Sequence, residues 1–390
     1  MADLFYYDPY QTSALLDGVI PANTLTRPNF LQQWFPSAGT WELPTINFDK
    51  EFMTRNIMSD HVAPRVDAPI ADVQGFTTQE LRFAYMKEGI IAPDWEQLQG
   101  RQLGEQFNSS PDYWARYNKH VSTQLANTEK FFENRFEYVA SSLIFNGTYL
   151  CTSDKHPTVY YDFKRTKVTT EAGLLKGYVP EIDLSTLNAN GGVGKRAWNS
   201  TGGTKPPTPY IDVQTAVKTV LRRSGVDAIV MSSDAYPYFE ADLNTTYKDA
   251  AVTTLRTETE FNLRVFPIMG KYQGLVFQRM LPLLVDGTGL QVLVPIFTYD
   301  AIYHDRKIAD IDLAERNYVP NGKFAVLPTK DKGLKLYGRI LHPSAQFAAM
   351  PRFFNTWMEE KTGTREGEMQ TNFIMGMKDP DVFATWKVLA

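Results

Sequence analysis

One stretch constrains this chain more than any other. From about Pro111 to Asn146, the apolar residues Trp114, Tyr117, Val121, Leu125, Phe132, Phe136, Val139 and Leu143 recur at three- and four-residue spacing, the signature of a helix with one buried stripe. Ser110 suits the N-cap, Pro111 the first helical position, and Asp112 the positive end of the helix dipole. Asn146-Gly147 supplies the stop, because glycine accepts the left-handed conformation that follows a helix. At ~1.5 Å per residue such a helix is on the order of 50 Å long, about three times the usual length. It reads as a spine against which other parts of the chain are laid.

The segments before the spine cannot stand alone. Residues 1–45 carry Pro9, Pro21, Pro28 and Pro36 around one short amphipathic piece, Ser13 to Ile20, which predicts an extended arm that needs another surface to cover its Leu, Phe and Trp side chains. Over residues 46–95, Leu81, Phe83 and Tyr85 alternate as one strand face requires. The preceding stretch, from Trp41 to Ile70, is interrupted by Pro44, Pro64 and Pro69, which belong on an edge. The reading is a long two-stranded arm, marginal by itself and resting on something else.

After the spine, Tyr149 to Ser153 and Thr158 to Phe163 read as strands. The stretch from Asn188 to Pro209, with five glycines and three prolines, marks a boundary or exposed loop. Residues 206–349 then alternate helix and strand: a helix over Val213 to Arg223, a buried-type strand from Val226 to Met231, a helix over Ser233 to Leu243, and strands from Gly274 to Phe277 and Leu290 to Phe297. In the tail, Phe373, Met375 and Met377 alternate, Asp379-Pro380 suits a type I turn, and Val382 to Leu389 is expected to pair back against the first tail strand. The length of 390 residues predicts two or three domains.

Chemistry is hard to find. Forty basic and 44 acidic residues give a net charge of −4, no footprint for reading nucleic acid sequence. A single cysteine, Cys151, excludes an intrachain disulfide framework or a cysteine-rich zinc site, and fits a small buried apolar residue. The glycine-rich run Asn190 to Arg196 lacks the Walker spacing, with Ala189 and Arg196 where glycine and Ser/Thr are required. The five histidines, His61, His120, His156, His304 and His342, form no helical metal pair. Tyr303-His304-Asp305 with Asp300 reads as a solvated loop, a weak divalent site being the alternative. Nothing nominates a catalytic residue, a cofactor or a metal. No run of ~18 apolar residues spans a membrane. The acidic start Met1 to Pro9 is unlike an export signal, which places the chain in a reducing cytoplasm. The unusual number is aromatic: 24 Phe, 20 Tyr and 7 Trp, which fill either a large core or an obligate interface.

This order of parts resembles the shell-protein fold of tailed phages named after phage HK97, and in particular the lambda-type major capsid protein E family. Phe30-Leu31-Gln32-Gln33-Trp34-Phe35-Pro36 resembles that family's arm motif. Phe145 to Tyr149 followed by Val159 to Arg165 resembles its spine exit. Gly333 to Gly338 and Met377 to Phe383 resemble its late-chain motifs, and Ser224 to Val230 its insertion domain. The resemblance implies an α+β fold with an N-arm (1–45), an E-loop (46–95), a peripheral domain (96–205 and 350–390, spine helix 111–146) and an inserted α/β axial domain (206–349). It implies a non-enzymatic head protein, assembling with itself as pentamers and hexamers into an icosahedral shell around double-stranded DNA held without sequence specificity. A decoration protein, a scaffold and a portal are further expected partners; the shell would be assembled in the host cytoplasm and end in the virion. Phe30, Trp34, Phe35, Leu81, Phe83 and Tyr85 are the expected intersubunit contacts. An encapsulin-like compartment around protein cargo, and a cytoplasmic hydrolase, stand as alternatives.

Overall fold

The computed structural model describes residues 29–51, 76–91, 113–153, 156–169, 179–186, 197–200, 207–245, 272–284, 291–304, 315–358 and 365–390. In chain order the elements are β1 (Ser37–Thr40), β2 (Thr45–Glu51), β3 (Phe76–Arg82), β4 (Ala84–Ile91), α1 (Tyr113–Asn146), β5 (Thr148–Ser153), β6 (His156–Asp162), β7 (Lys167–Val168) and β8 (Glu181–Asp183). Then follow α2 (Pro209–Leu221), β9 (Val226–Met231), α3 (Tyr236–Thr245), β10 (Leu275–Leu284), β11 (Gln291–Tyr299), β12 (Ile302–His304), β13 (Glu315–Asn317), β14 (Lys323–Pro328), β15 (Gly333–Tyr337), β16 (Phe353–Met358), β17 (Arg365–Met377) and β18 (Ala384–Lys387).

The expected spine is present as the 34-residue α1. Leu125, Phe132, Phe136, Val139 and Leu143 are all buried. Gly147 takes φ +68 and its N–H bonds the Leu143 carbonyl at 2.9 Å, closing the helix as the Asn-Gly pair predicts. The expected cap at 110–112 lies outside the described residues.

Two sheets flank the spine. The first is built on the 13-residue β17: β15 and β16 pair along one edge and β4 along the other, with Phe373 facing Tyr337 on one side and Ala84 on the other. Strand β1 adds in parallel to β15. The second sheet has seven strands in the order β10-β11-β9-β14-β18-β8-β7. Its central strands are buried on both faces. Ala228, Val230, Phe297, Tyr299, Ala325 and Leu327 face the core shared with the spine. Their alternates Ile229, Met231, Val294, Ile296, Phe324 and Val326 pack with Val213, Val217 and Val220 of α2 and Phe239 of α3. That is why the Val226 to Met231 run is continuously apolar rather than alternating. β2–β3, β5–β6 and β12–β13 form three separate two-stranded ribbons, with Leu81, Tyr149, Val159 and Tyr161 packed in the same core as the spine.

The structure corrects two expectations. The alternating run Leu81-Phe83-Tyr85 is not one strand: it breaks at Phe83, with Leu81 in the β2–β3 ribbon and Tyr85 in β4 on β17. The segment Val382 to Leu389 does not fold back on Phe373 to Met377. Asp379 accepts the Asp381 N–H and caps a short 3-10 turn over Pro380–Val382, which redirects the chain. Strand β18 then inserts between β14 and β8 in the second sheet, where the Trp386 indole N–H reaches the Val179 carbonyl at 3.0 Å. One edge of β17 beside those residues is already taken by β15. Strand β15, inside 206–349, belongs to the first sheet, and β18, inside 350–390, to the second.

Candidate functional site

Glu129, Glu133 and Glu137 lie on the buried side of α1, four residues apart and therefore stacked one turn above the next. Arg352 pairs with Glu129 and, at 2.6 Å, with Glu133. The other partner is a strap, residues 29–35, whose centre is a 3-10 turn over Leu31–Trp34. Glu133 Oε2 accepts from the side-chain amides of Asn29 (2.9 Å) and Gln32 (2.8 Å). Glu137 accepts the Leu31 N–H at 2.8 Å, the Gln32 N–H at 3.0 Å and the Tyr299 hydroxyl at 3.0 Å. Backbone N–H groups that a short turn leaves without helical partners thus end on a carboxylate. Burial nevertheless dominates Glu137 and pushes its carboxyl up to about 8; the hydrogen bonds offset only part of the desolvation.

The strap is fixed on its other side by rings. Phe30 packs edge-on against Trp34 and lies 5.5 Å from Phe297, and Phe35 stacks on Phe383. The Trp34 indole N–H donates to the Pro328 carbonyl at 2.6 Å. Gly333 is required there, since a Cβ would stand 2.1 Å from the Trp34 carbonyl oxygen.

The carboxyl end of the spine is bolted separately. The carbonyls of Leu143, Ile144 and Phe145 accept, respectively, from Arg165 (2.9 Å), the Thr385 hydroxyl (2.8 Å) and Lys323 (3.4 Å). Two cations therefore sit at the negative end of the helix dipole. The fully buried Arg165 also donates to the Pro380 carbonyl and Thr385 Oγ1, tying the spine to the turn before β18; burial brings its guanidinium down to about 10, still charged at neutral pH. Asp381, which accepts from the Thr166 backbone and hydroxyl, supports it electrostatically.

Of the six expected contact residues, Phe30, Trp34, Phe35, Leu81 and Phe83 are buried within their own chain. Tyr85 is half-buried; its hydroxyl donates to Gln370 and accepts from the Leu341 N–H at 3.2 Å. Large apolar side chains that do face outward are others. Leu150 and Tyr160 are a directly opposed pair on β5–β6, and Leu341 and Phe347 stand on the 338–350 excursion, where Gln346 and Phe347 hold φ +51 and +53. Trp41 and Leu43 follow β1, beside the Glu42–Arg339 ion pair. Sequence reading passed over Glu129, Glu133, Glu137, Arg165 and Arg352. The signal for the first three was there: acids at i, i+4 and i+8 set among the apolar stripe.

Only some of the sites weighed for chemistry fall among the described residues. Among the described residues no group of His, Cys, Asp or Glu could hold a metal ion. Tyr303 packs against Tyr138 and Tyr318 rather than on a loop ligand set, and His342 accepts the Ser344 N–H. Cys151 is a half-buried free thiol packed on the core. The glycine-rich run, His61 and Asp305 lie outside the described residues. No helix among the described residues is long and apolar enough to cross a membrane.

Comparison with known proteins gives one family match: residues 295–388 match the model of phage major capsid protein E. No curated protein sequence matches. Among solved structures, a prophage protein of E. coli CFT073 assigned as a capsid protein superimposes with a TM-score of 0.64 at 15% identity, over 98% of this chain and 99% of that one. The mature capsid of bacteriophage PhiM1 gives a TM-score of 0.45 at 11% identity, over 92% and 86% of the two chains. The capsid of a native GTA particle gives 0.44 at 10%, over 94% and 92%. The fold is the α+β, HK97-like one. Residues 295–388 thus resemble phage major capsid protein E, and the chain as a whole is similar in fold to a prophage protein assigned as a capsid protein.

Proposed function

We propose that copies of this chain form pentamers and hexamers that close an icosahedral head around double-stranded DNA, as the principal structural protein of a tailed phage and not as an enzyme. The observation that carries this reading is the family match over 295–388, which covers β14, β15, β17 and β18, the strands that join the two sheets. The β2–β3 ribbon supports the same reading. Both of its outer edges lie outside any sheet among the described residues, and it suits an E-loop laid over the next subunit. In this reading 1–45 is the arm, 46–95 the E-loop, 96–205 and 350–390 the peripheral domain with the spine, and 206–349 the axial domain. The exposed pairs Leu150–Tyr160 and Leu341–Phe347 are the apolar surfaces available to neighbouring copies, more so than the side chains already spent in the core. Decoration protein, scaffold and portal are the remaining partners of such a head; it assembles in the host cytoplasm and ends in the virion.

The test is negative-stain electron microscopy of the expressed chain, alone and with the neighbouring phage genes. Closed, uniform polyhedral particles are expected. A compact ~44 kDa species under every condition would overturn the reading, and uniform shells filled with an enzyme cargo instead of DNA would replace the head with a compartment.

A further inference from the structure

Two short basic runs that lie far apart in sequence, Arg222-Arg223 and Lys330 to Lys335, are brought onto one surface by the fold. Three contacts close the ring. At the carboxyl end of α2, the Ser224 hydroxyl lies 3.0 Å from that of Thr329, in the turn between β14 and β15. From the same turn, the Lys332 carbonyl accepts the Lys378 N–H at 2.9 Å, just past β17. The next residue, Asp379, returns to the Arg223 guanidinium at 2.9 Å. Arg222, Lys330 and Lys378 border this one area and are all exposed, with Lys218 exposed one helical turn before Arg222. The carboxylates there are already committed. Asp379 holds Arg223, Asp381 accepts from Thr166, and Asp331 accepts the Thr329 hydroxyl 3.3 Å from the Lys332 ammonium. Among the described residues Arg222 and Lys378 have no carboxylate partner, and Lys330 has the Gln33 side-chain oxygen and the Trp34 ring. On a chain of net charge −4 this is a local positive surface. It carries no apolar anchor: among the described residues, none of the exposed large apolar side chains lies on 218–224, 329–335 or 378–379.

We propose that this surface seats the phosphate backbone of duplex DNA without sequence preference, a role that rests on the head reading above. Cations grouped without apolar neighbours fit a polyanion better than a folded partner, whose interface would need anchoring side chains. Exposed rings on which unpaired bases could stack are absent from these segments among the described residues, so the duplex is favoured over a single strand. Three cations without a carboxylate partner set the strength. Releasing about three counterions gives a slope near −2.7 in log affinity against log salt, or about forty-fold weaker binding at 200 mM than at 50 mM. Weak contact suits a surface that every copy of a shell repeats, because repetition supplies the avidity.

Fluorescence anisotropy of the unassembled full chain with a short labelled duplex, titrated across about 50 to 200 mM salt, tests this directly. Wild type is expected to bind with the slope above. R222Q/K330Q/K378Q is expected to bind at least about tenfold more weakly at the lowest salt and to lose most of the slope. K87Q/K119Q/K130Q removes the same charge from exposed positions elsewhere and is expected to bind as wild type does. Wild type without salt-dependent binding overturns the seat, as does a folded triple variant that binds like wild type. Poly-glutamate binding as tightly as the duplex overturns the DNA assignment in favour of an acidic protein. If the triple variant fails to fold, R222Q and K378Q are each expected to lower the slope by about one, and unchanged slopes overturn the proposal. Because the chain is measured unassembled, a negative result here leaves the particle experiment standing, and an absence of particles leaves this binding readable.

Discussion

Replacing Arg165 by methionine keeps the length of the side chain and removes its charge. The guanidinium is fully buried and donates to the Leu143 carbonyl at 2.9 Å, the Pro380 carbonyl at 3.2 Å and Thr385 Oγ1 at 3.1 Å. These partners do not suffer equally. The Leu143 carbonyl keeps the Gly147 N–H, Thr385 keeps its own bond to Ile144, and Asp381 keeps Arg223 and Thr166, so the Pro380 carbonyl bears most of the hydrogen-bond loss. Removing one side of a buried charged network costs about 3–5 kcal/mol, less than three separate charged bonds would suggest, because the desolvation of the arginine is relieved as well. At ~2.1 cal/mol/K per residue, a 390-residue chain has an unfolding entropy near 0.8 kcal/mol/K, so the melting temperature should drop by about 4–6 °C. Differential scanning calorimetry on the unassembled chain measures it. Arg165→Lys, which retains a cation at the spine's carboxyl end, should lose about half as much. A drop under ~1 °C for Arg165→Met would refute the view that this residue ties the spine to the turn before β18.

Other outcomes follow from the same contacts. Gly376→Ala places a Cβ 2.4 Å from the Phe48 ring and should lift the root of the β2–β3 ribbon at a cost of about 1–3 kcal/mol, read as faster proteolysis within the ribbon. Equal cleavage rates would show that Phe48 swings aside without consequence. Leu125→Pro, at a buried position in the middle of α1, costs about 3 kcal/mol or more and should abolish closed particles; normal shells by microscopy would separate spine integrity from assembly. Raising pH from 6 to 9 should lower the melting temperature of wild type more than that of Glu137→Gln, because burial raises the carboxyl to about 8 and stability is lost as pH rises toward that value.

The spine and its stop were legible because they depend on local rules: a three-four apolar spacing and a glycine at φ +68. The α/β alternation and the β2–β3 ribbon were legible for the same reason. Partner choice was not. Nothing between Leu81 and Tyr85 says that Phe83 divides two sheets, and the local sequence of 373–389 favours a hairpin that the Asp379 cap prevents. Strands from distant parts of the chain set both: β4 takes the β17 edge along Glu366–Phe373, and β15 takes one edge along Phe373–Met377. The stretches picked out by resemblance do meet in space: Pro36 accepts from Lys335, Phe35 stacks on Phe383, and Arg165 reaches Pro380. Of the six residues expected at neighbouring subunits, Phe30, Trp34, Phe35, Leu81 and Phe83 are buried within the chain. An aromatic count cannot tell a core from an interface, since both bury the same rings.

The parallel pairing of β1 with β15 has a kinetic consequence. Thr40 and Tyr337 are partners 297 residues apart, so forming that pair first would close a very large loop. Phe373 offers a shorter route, because it contacts Tyr337 on one side and Ala84 on the other. Once β4 and β15 are both on β17, only the 44 residues from Thr40 to Ala84 remain to be closed. The β1 step itself is then easier by (3/2)RT ln(297/44), about 1.7 kcal/mol, the long-loop cost having been met when β4 joined β17 through Ala84 and Phe373. Newly made chains would then pass through a stage in which both sheets and the spine exist while the amino-terminal segment still searches for its seat.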